Sequence, residues 1–99
     1  MRCSEMSNPP RPLNKIAAEI VTLWRYSPPS VNVRRFALPY VRAMLELESC
    51  SDMYGMEYGD MIVAHVLSNA AHWRGDDARR IKVELKLHLE NFNAIYHRS

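Results

Sequence analysis

Residues 81–90, IKVELKLHLE, carry the reading on which the fold turns. Apolar and polar residues alternate here, the signature of a half-buried strand. The same stretch also fits a helix. Ala78, Ile81, Leu85, Leu89, Phe92 and Tyr96 form one stripe at the 3.6-residue period, with Val83, Leu87 and Ala94 on the other side. Composition decides between the two. Leu, Lys and Glu dominate and are good helix formers, and no second segment alternates convincingly enough to supply a partner strand. The spacing therefore predicts a helix over 76–96. Asp76 or Asp77 opens it, an acid at a helix start being favoured by the macrodipole. Val83 and Leu87 then form an apolar patch outside the core, a candidate contact for a second copy of the chain.

Further toward the N-terminus, Asp60 is placed to cap a helix over 60–74. Its stripe is Ile62, Val63, Val66, Ala70 and Trp73, and Gly75 is the expected left-handed terminator. Residues 50–60, CSDMYGMEYGD, read as a loop or an irregular helical turn. Val33, Phe36, Ala37, Tyr40, Val41, Met44 and Leu47 predict a helix over 31–49. Pro39 falls opposite that stripe, so one helix kinked at Pro39 and two short helices meeting at Leu38 are both compatible. Leu13, Ile16, Ala17, Ile20, Leu23 and Trp24 predict a helix over 13–26, ended by Ser27-Pro28-Pro29-Ser30 because a residue before proline leaves the α region. Asn8-Pro9-Pro10-Arg11-Pro12 cannot continue a helix. Residues 1–12 thus read as a flexible leader, with Pro12 at the first helical position. The expected fold is all-α: a compact bundle of four main helices, about 13–26, 31–49, 60–74 and 76–96, forming a single domain over 13–99 behind a flexible N-terminal tail.

With 99 residues, 47% hydrophobic and 24% charged, the chain has room for one domain of ordinary globular composition. This excludes a multi-domain enzyme, a disordered chain and a disulfide scaffold. A core this small gains much from a partner or a dimer. Cys3 and Cys50 lie far apart and show no metal-ligand or redox spacing, as expected of two thiols in the cytoplasm. The opening residues MRCSEMSNPPRP hold no signal-peptide run, and no segment approaches the roughly 18 apolar residues of a membrane span. A cytoplasmic location without membrane association is expected.

Chemistry is sparse. His65 and His72 share a helical face at i, i+7, about 10 Å apart and too far to share one ion; His88 and His97 add no zinc spacing. A hydrogen-bonded histidine flank is expected rather than a metal site. No GxSxG turn or phosphate-binding glycine loop occurs, and Cys50 sits among acids that raise a thiol pKa. Glu46 and Glu48 diverge on a helix, and Asp76 and Asp77 suit a cap. No catalytic constellation assembles, so neither an enzyme nor a cofactor is expected.

Charge is more informative. Residues 1–42 carry net +5, residues 43–73 carry five acids and no Lys or Arg, and residues 74–99 carry net +2. Such blocks either pair with each other across the bundle or leave a polar surface. Arg79, Lys82 and Lys86 share a face of the last helix and are candidates for following a phosphate backbone, with Arg34 and Arg35 as bases on another face. Met53-Tyr54-Gly55-Met56-Glu57-Tyr58-Gly59-Asp60-Met61 unites acids with aromatic and thioether side chains that suit a binding surface. Tyr54, Glu57, Tyr58, Asp60 and Met61 are the candidate protein-binding residues.

The stretch Trp73-Arg74-Gly75-Asp76-Asp77-Ala78-Arg79-Arg80-Ile81-Lys82-Val83-Glu84-Leu85 resembles the C-terminal part of small helical accessory proteins of phages and mobile elements. That resemblance implies a stoichiometric binder of a host machine, anti-CRISPR-type inhibitors included, and carries no functional residues over. Three functions follow as expectations. The first is a non-enzymatic protein that occupies a host protein or ribonucleoprotein complex through the acidic Tyr/Met surface. The second is a small nucleic-acid-binding regulator using Arg79, Lys82 and Lys86. The third is a structural homodimer joined through Val83 and Leu87.

Overall fold

The computed structural model describes residues 11–96. Four helices form: α1 (Leu13–Tyr26), α2 (Val31–Met44), α3 (Gly59–Asn69) and α4 (Asp76–Tyr96), with two-residue strands β1 (Met53–Tyr54) and β2 (Glu57–Tyr58) before α3. The fold is mostly α, as the periodicity predicts, and the 81–90 stretch is helical. Ala78, Ile81 and Leu85 are buried on α4, while Val83 and Leu87 are 54% and 39% exposed. The alternation there records two faces of one helix.

The stripe of α1 is buried at Leu13, Ile16, Ala17, Ile20 and Trp24. Pro12 is the N-cap rather than the first helical residue; its carbonyl accepts from Lys15 and Ile16 N–H at 3.0 and 3.2 Å. Helix α2 starts at Ser30, whose hydroxyl accepts from Val33 N–H at 3.3 Å. It runs through Pro39 as one helix. Pro39 lies on the exposed side, where water can serve the carbonyl that a proline leaves without a donor. Phe36 departs from the expected stripe. It is half exposed and lies beneath the Arg35 guanidinium, 5.8 Å from the ring centroid.

Helix α2 ends five residues earlier than the expected Ser49. The N–H groups of Leu45, Glu46 and Leu47 turn to carbonyls three residues back, a tightening that unwinds an α-helix end. One Asp52 carboxylate oxygen then accepts from Glu48 and Ser49 N–H, at 2.8 and 3.2 Å. This aspartate clip competes with helix continuation. Helix α3 likewise stops at Asn69 rather than at Arg74. Gly75 is not its terminator: with φ of +114° it stands at the entry to α4, its carbonyl accepting from Arg79 N–H.

Helix α2 packs most extensively on α3, α1 packs on α2, and α4 packs on α3. Trp24 meets Trp73 edge to face at 5.3 Å, joining α1 to the segment before α4. Polar contacts also join α1 to α4. Arg11 and Arg80 each pair with Glu19 at 2.7 Å, and Arg11 also grips Glu84. Buried His88 donates from Nε2 to the Arg11 carbonyl at 2.6 Å. The expected flexible leader lies outside the described residues except for Arg11 and Pro12, and these two are fastened to α1 and α4.

This network makes stability depend on acid. Hydrogen bonds from Arg80 first, and from Arg11, hold the Glu19 carboxyl below its ordinary value of 4.5. Glu84 is lowered mainly by its hydrogen bond from Arg11. A carboxyl depressed in the folded state stabilises at pH above its unfolded value, and that contribution disappears as pH falls through the folded value. The melting temperature is expected to drop below about pH 4.5, and an Arg11→Ala variant should show a shallower acid limb. Coincident acid limbs for the two proteins would contradict this role of the network.

Candidate functional site

The stretch between Cys50 and Asp60 is an antiparallel hairpin rather than an irregular turn. Met53 pairs with Tyr58 and Tyr54 with Glu57 around Gly55-Met56. Gly55 has φ of +62°, and among the described residues no non-glycine residue has positive φ. A positive φ at the first central position alone is the pattern of a type II′ turn, whose twist suits paired strands. A glycine opening a two-residue gap between tyrosine-bearing segments was the local sign of this hairpin in the sequence.

The base of the hairpin is fixed by backbone. Gly59 N–H donates to the Asp52 carbonyl at 2.7 Å, and Asp60 N–H donates to the Cys50 carbonyl at 3.2 Å. Asp60 was expected to cap the helix. It lies instead in the first turn of α3, where the N-cap is Tyr58 and no side chain caps. Its charge still suits that helix end. Thus Tyr54, Glu57 and Tyr58 stand on the strands, with Asp60 and Met61 at the start of the following helix.

The hairpin presents an unusual surface for so small a protein. Tyr54 is 47% exposed, Tyr58 53% and Met56 95%, and Met53 and Met61 are about half exposed. Glu46, Glu48 and Glu57 are exposed beside them in sequence. Among the described residues, the ion pairs involve only Glu19, Glu84, Asp76 and Asp77 as acids. Among the described residues the acidic block 43–73 makes no ion pair with the basic blocks; Asp52 serves backbone N–H groups of the turn after α2, and exposed Glu46, Glu48 and Glu57 keep their charge for solvent or a partner.

The remaining candidates disperse. His65 stacks on Tyr40 at 4.5 Å, whereas His72 lies beyond the end of α3, so they share no helical face. Among the described residues no group of three or more His, Cys, Asp or Glu could hold a metal ion. Cys50 is buried, and burial followed by the Asp60 charge pushes its thiol up to about 12. Cys50 is expected to resist iodoacetamide at mildly alkaline pH in the native protein and to react fully in denaturant. Rapid native modification would contradict this environment.

On α4, Arg79 pairs with Asp76 at 3.3 Å, and Lys82 donates to the Trp73 and Ala71 carbonyls at 2.7 and 3.4 Å. Burial, then the charges of Lys86 and Arg74, lower the Lys82 pKa from its ordinary 10.5. Lys82 is a clip between α4 and the preceding turn, which leaves Lys86 as the freest base of the three. Val83 and Leu87 remain an exposed apolar pair. Among the described residues no helix is long and apolar enough to cross a membrane.

Sequence reasoning missed one feature. Arg34, Arg35 and Arg42 of α2 line an open cavity of about 730 Å³ together with Pro28, Leu38 and Tyr54. A smaller depression of about 260 Å³ continues from Arg34 and Arg42 to Arg25 and Trp24 on α1. The α1–α2 packing brings Arg25 to the α2 arginines, which periodicity within one helix does not show.

No protein-family model, curated protein or solved structure matches the chain.

Proposed function

We propose that this is a non-enzymatic binding protein whose contact surface is the Met53–Met61 segment, and that its partner is a basic surface of a host protein or ribonucleoprotein. The observation that carries this reading is the hairpin itself: two tyrosines and Met56 project from a ribbon beside an acidic block that makes no ion pair among the described residues. Tyrosines give large contact area at low entropic cost, and methionines adapt to irregular partners. Complementary charge speeds encounter. The phage-accessory resemblance of residues 73–85 adds inhibition of a host assembly as the consequence of binding. The test is affinity capture from a bacterial lysate with the parent, Tyr58→Ala and Glu57→Lys proteins side by side. A partner retained by the parent and by an Arg79→Gln/Lys86→Gln control, but lost from the hairpin variants, is the expected result.

A further inference from the structure

We propose that the arginine-lined groove along α2, bounded by the Pro28–Pro29 connection and Tyr54 and extended toward α1, binds single-stranded nucleic acid, at a site separate from the basic face of α4. Arg34, Arg35 and Arg42 line the larger cavity and Arg25 its extension. All four side chains are exposed, and none forms an ion pair among the described residues. Among the described residues no Asp or Glu lines either cavity. The cations are all arginine, whose planar fork matches phosphate oxygens and whose face stacks on bases. Arg34 and Arg42 are eight positions apart on one helix, about 12 Å along its axis, a span suited to phosphates two nucleotides apart on one strand.

The rest of the lining favours a single strand over a duplex. Half-exposed Tyr54 offers a ring on which a base can stack, and Pro28 and Leu38 give apolar walls. A duplex turns its phosphates outward and keeps its base faces covered, so it would leave those apolar surfaces unused. Trp24 lines the extension and adds an aromatic wall beside Arg25. The chain's own residues 1–10 carry one base and one acid, so they offer no charge complementary to four arginines.

The test uses fluorescence anisotropy of labelled oligo-dT and oligo-U of about 12 nucleotides, within the site sizes of small single-strand binders, against a duplex of equal length and a poly-glutamate peptide. The full chain should bind the single strands in preference to both competitors, with affinity falling as salt rises. Arg34→Gln/Arg42→Gln should weaken binding at least tenfold and flatten the log–log salt slope by about 1.4, the value for two lost single-strand phosphate contacts. Tyr54→Ala should weaken it about tenfold with the slope unchanged. Arg79→Gln/Lys86→Gln should bind like the parent. These substituted residues are exposed, and equal melting temperatures verify the fold. The proposal is overturned by absence of saturable oligonucleotide binding at low salt, by equal binding of the duplex, by loss of binding only in the α4 variant, or by capture of poly-glutamate in place of the oligonucleotides.

Discussion

Replacing Gly59 with alanine is expected to lower stability by about 3 kcal/mol, the upper end of the cost of overpacking. A Cβ at Gly59 would lie 2.7 Å from the Ser49 carbonyl oxygen and 3.0 Å from the Cys50 Cα. Both neighbours are backbone, so neither can rotate aside. Relief requires the 49–52 turn to separate from the start of α3. That movement strains the bonds from Gly59 and Asp60 N–H to the Asp52 and Cys50 carbonyls, and it drags on the Leu13 N–H that Glu48 receives at 3.0 Å. For a domain of this size the melting temperature should fall by roughly 15 °C. Gly55→Ala is the informative comparison. A Cβ there meets nothing within 4 Å, but φ is +62°, so the expected cost is about 1 kcal/mol from backbone conformation alone. The two glycines thus separate a steric cost from a conformational one. Thermal melts that rank Gly55→Ala as the more damaging change would refute the close approach at Gly59.

Truncating Tyr58 to alanine is expected to weaken partner binding by about 2 kcal/mol or more, roughly 30-fold in Kd, as for an anchoring aromatic in an interface. The ring is half exposed on β2, so its removal should alter folding stability by no more than about 0.5 kcal/mol. Tyr54 should behave similarly, although it also lines the arginine groove; Tyr58 is therefore the cleaner probe of the hairpin. Glu57→Lys should act differently. Reversal of an exposed acid slows association with a basic partner and flattens the salt dependence of the rate, with less effect on dissociation. Surface-captured partner, with both rate constants measured over a salt series, distinguishes the two roles. If Tyr58→Ala and Glu57→Lys bind normally while Arg79 or Lys86 variants do not, the hairpin is not the interface.

Asp52 shows why part of the site escaped the sequence reading. As a member of an acidic block it looked like surface charge. In the fold its carboxylate closes the turn after α2, and its carbonyl receives the first N–H of α3. A carboxylate that satisfies backbone donors and one that faces solvent have the same sequence appearance. His88 poses the same difficulty. It sits beside the buried stripe of α4, and only the approach of Arg11 from the far end of the chain supplies its acceptor.

The sequence by itself determined the helices. Apolar spacing set the buried stripes of α1 and α4, the prolines at 28 and 29 bounded the first connection, and composition resolved the 81–90 conflict toward helix. It also placed Val83 and Leu87 outside the core. These are local properties, fixed by backbone sterics and side-chain period. The tertiary structure decided where α2 and α3 stop, because those ends depend on hydrogen bonds and turns formed between the helices. It alone fastened Arg11 to Glu84 across 73 positions and brought Arg25 to the arginines of α2. It also left the acidic block without ion pairs among the described residues. Charge carries no periodicity of its own, so which charges meet is settled only when packing brings distant segments together.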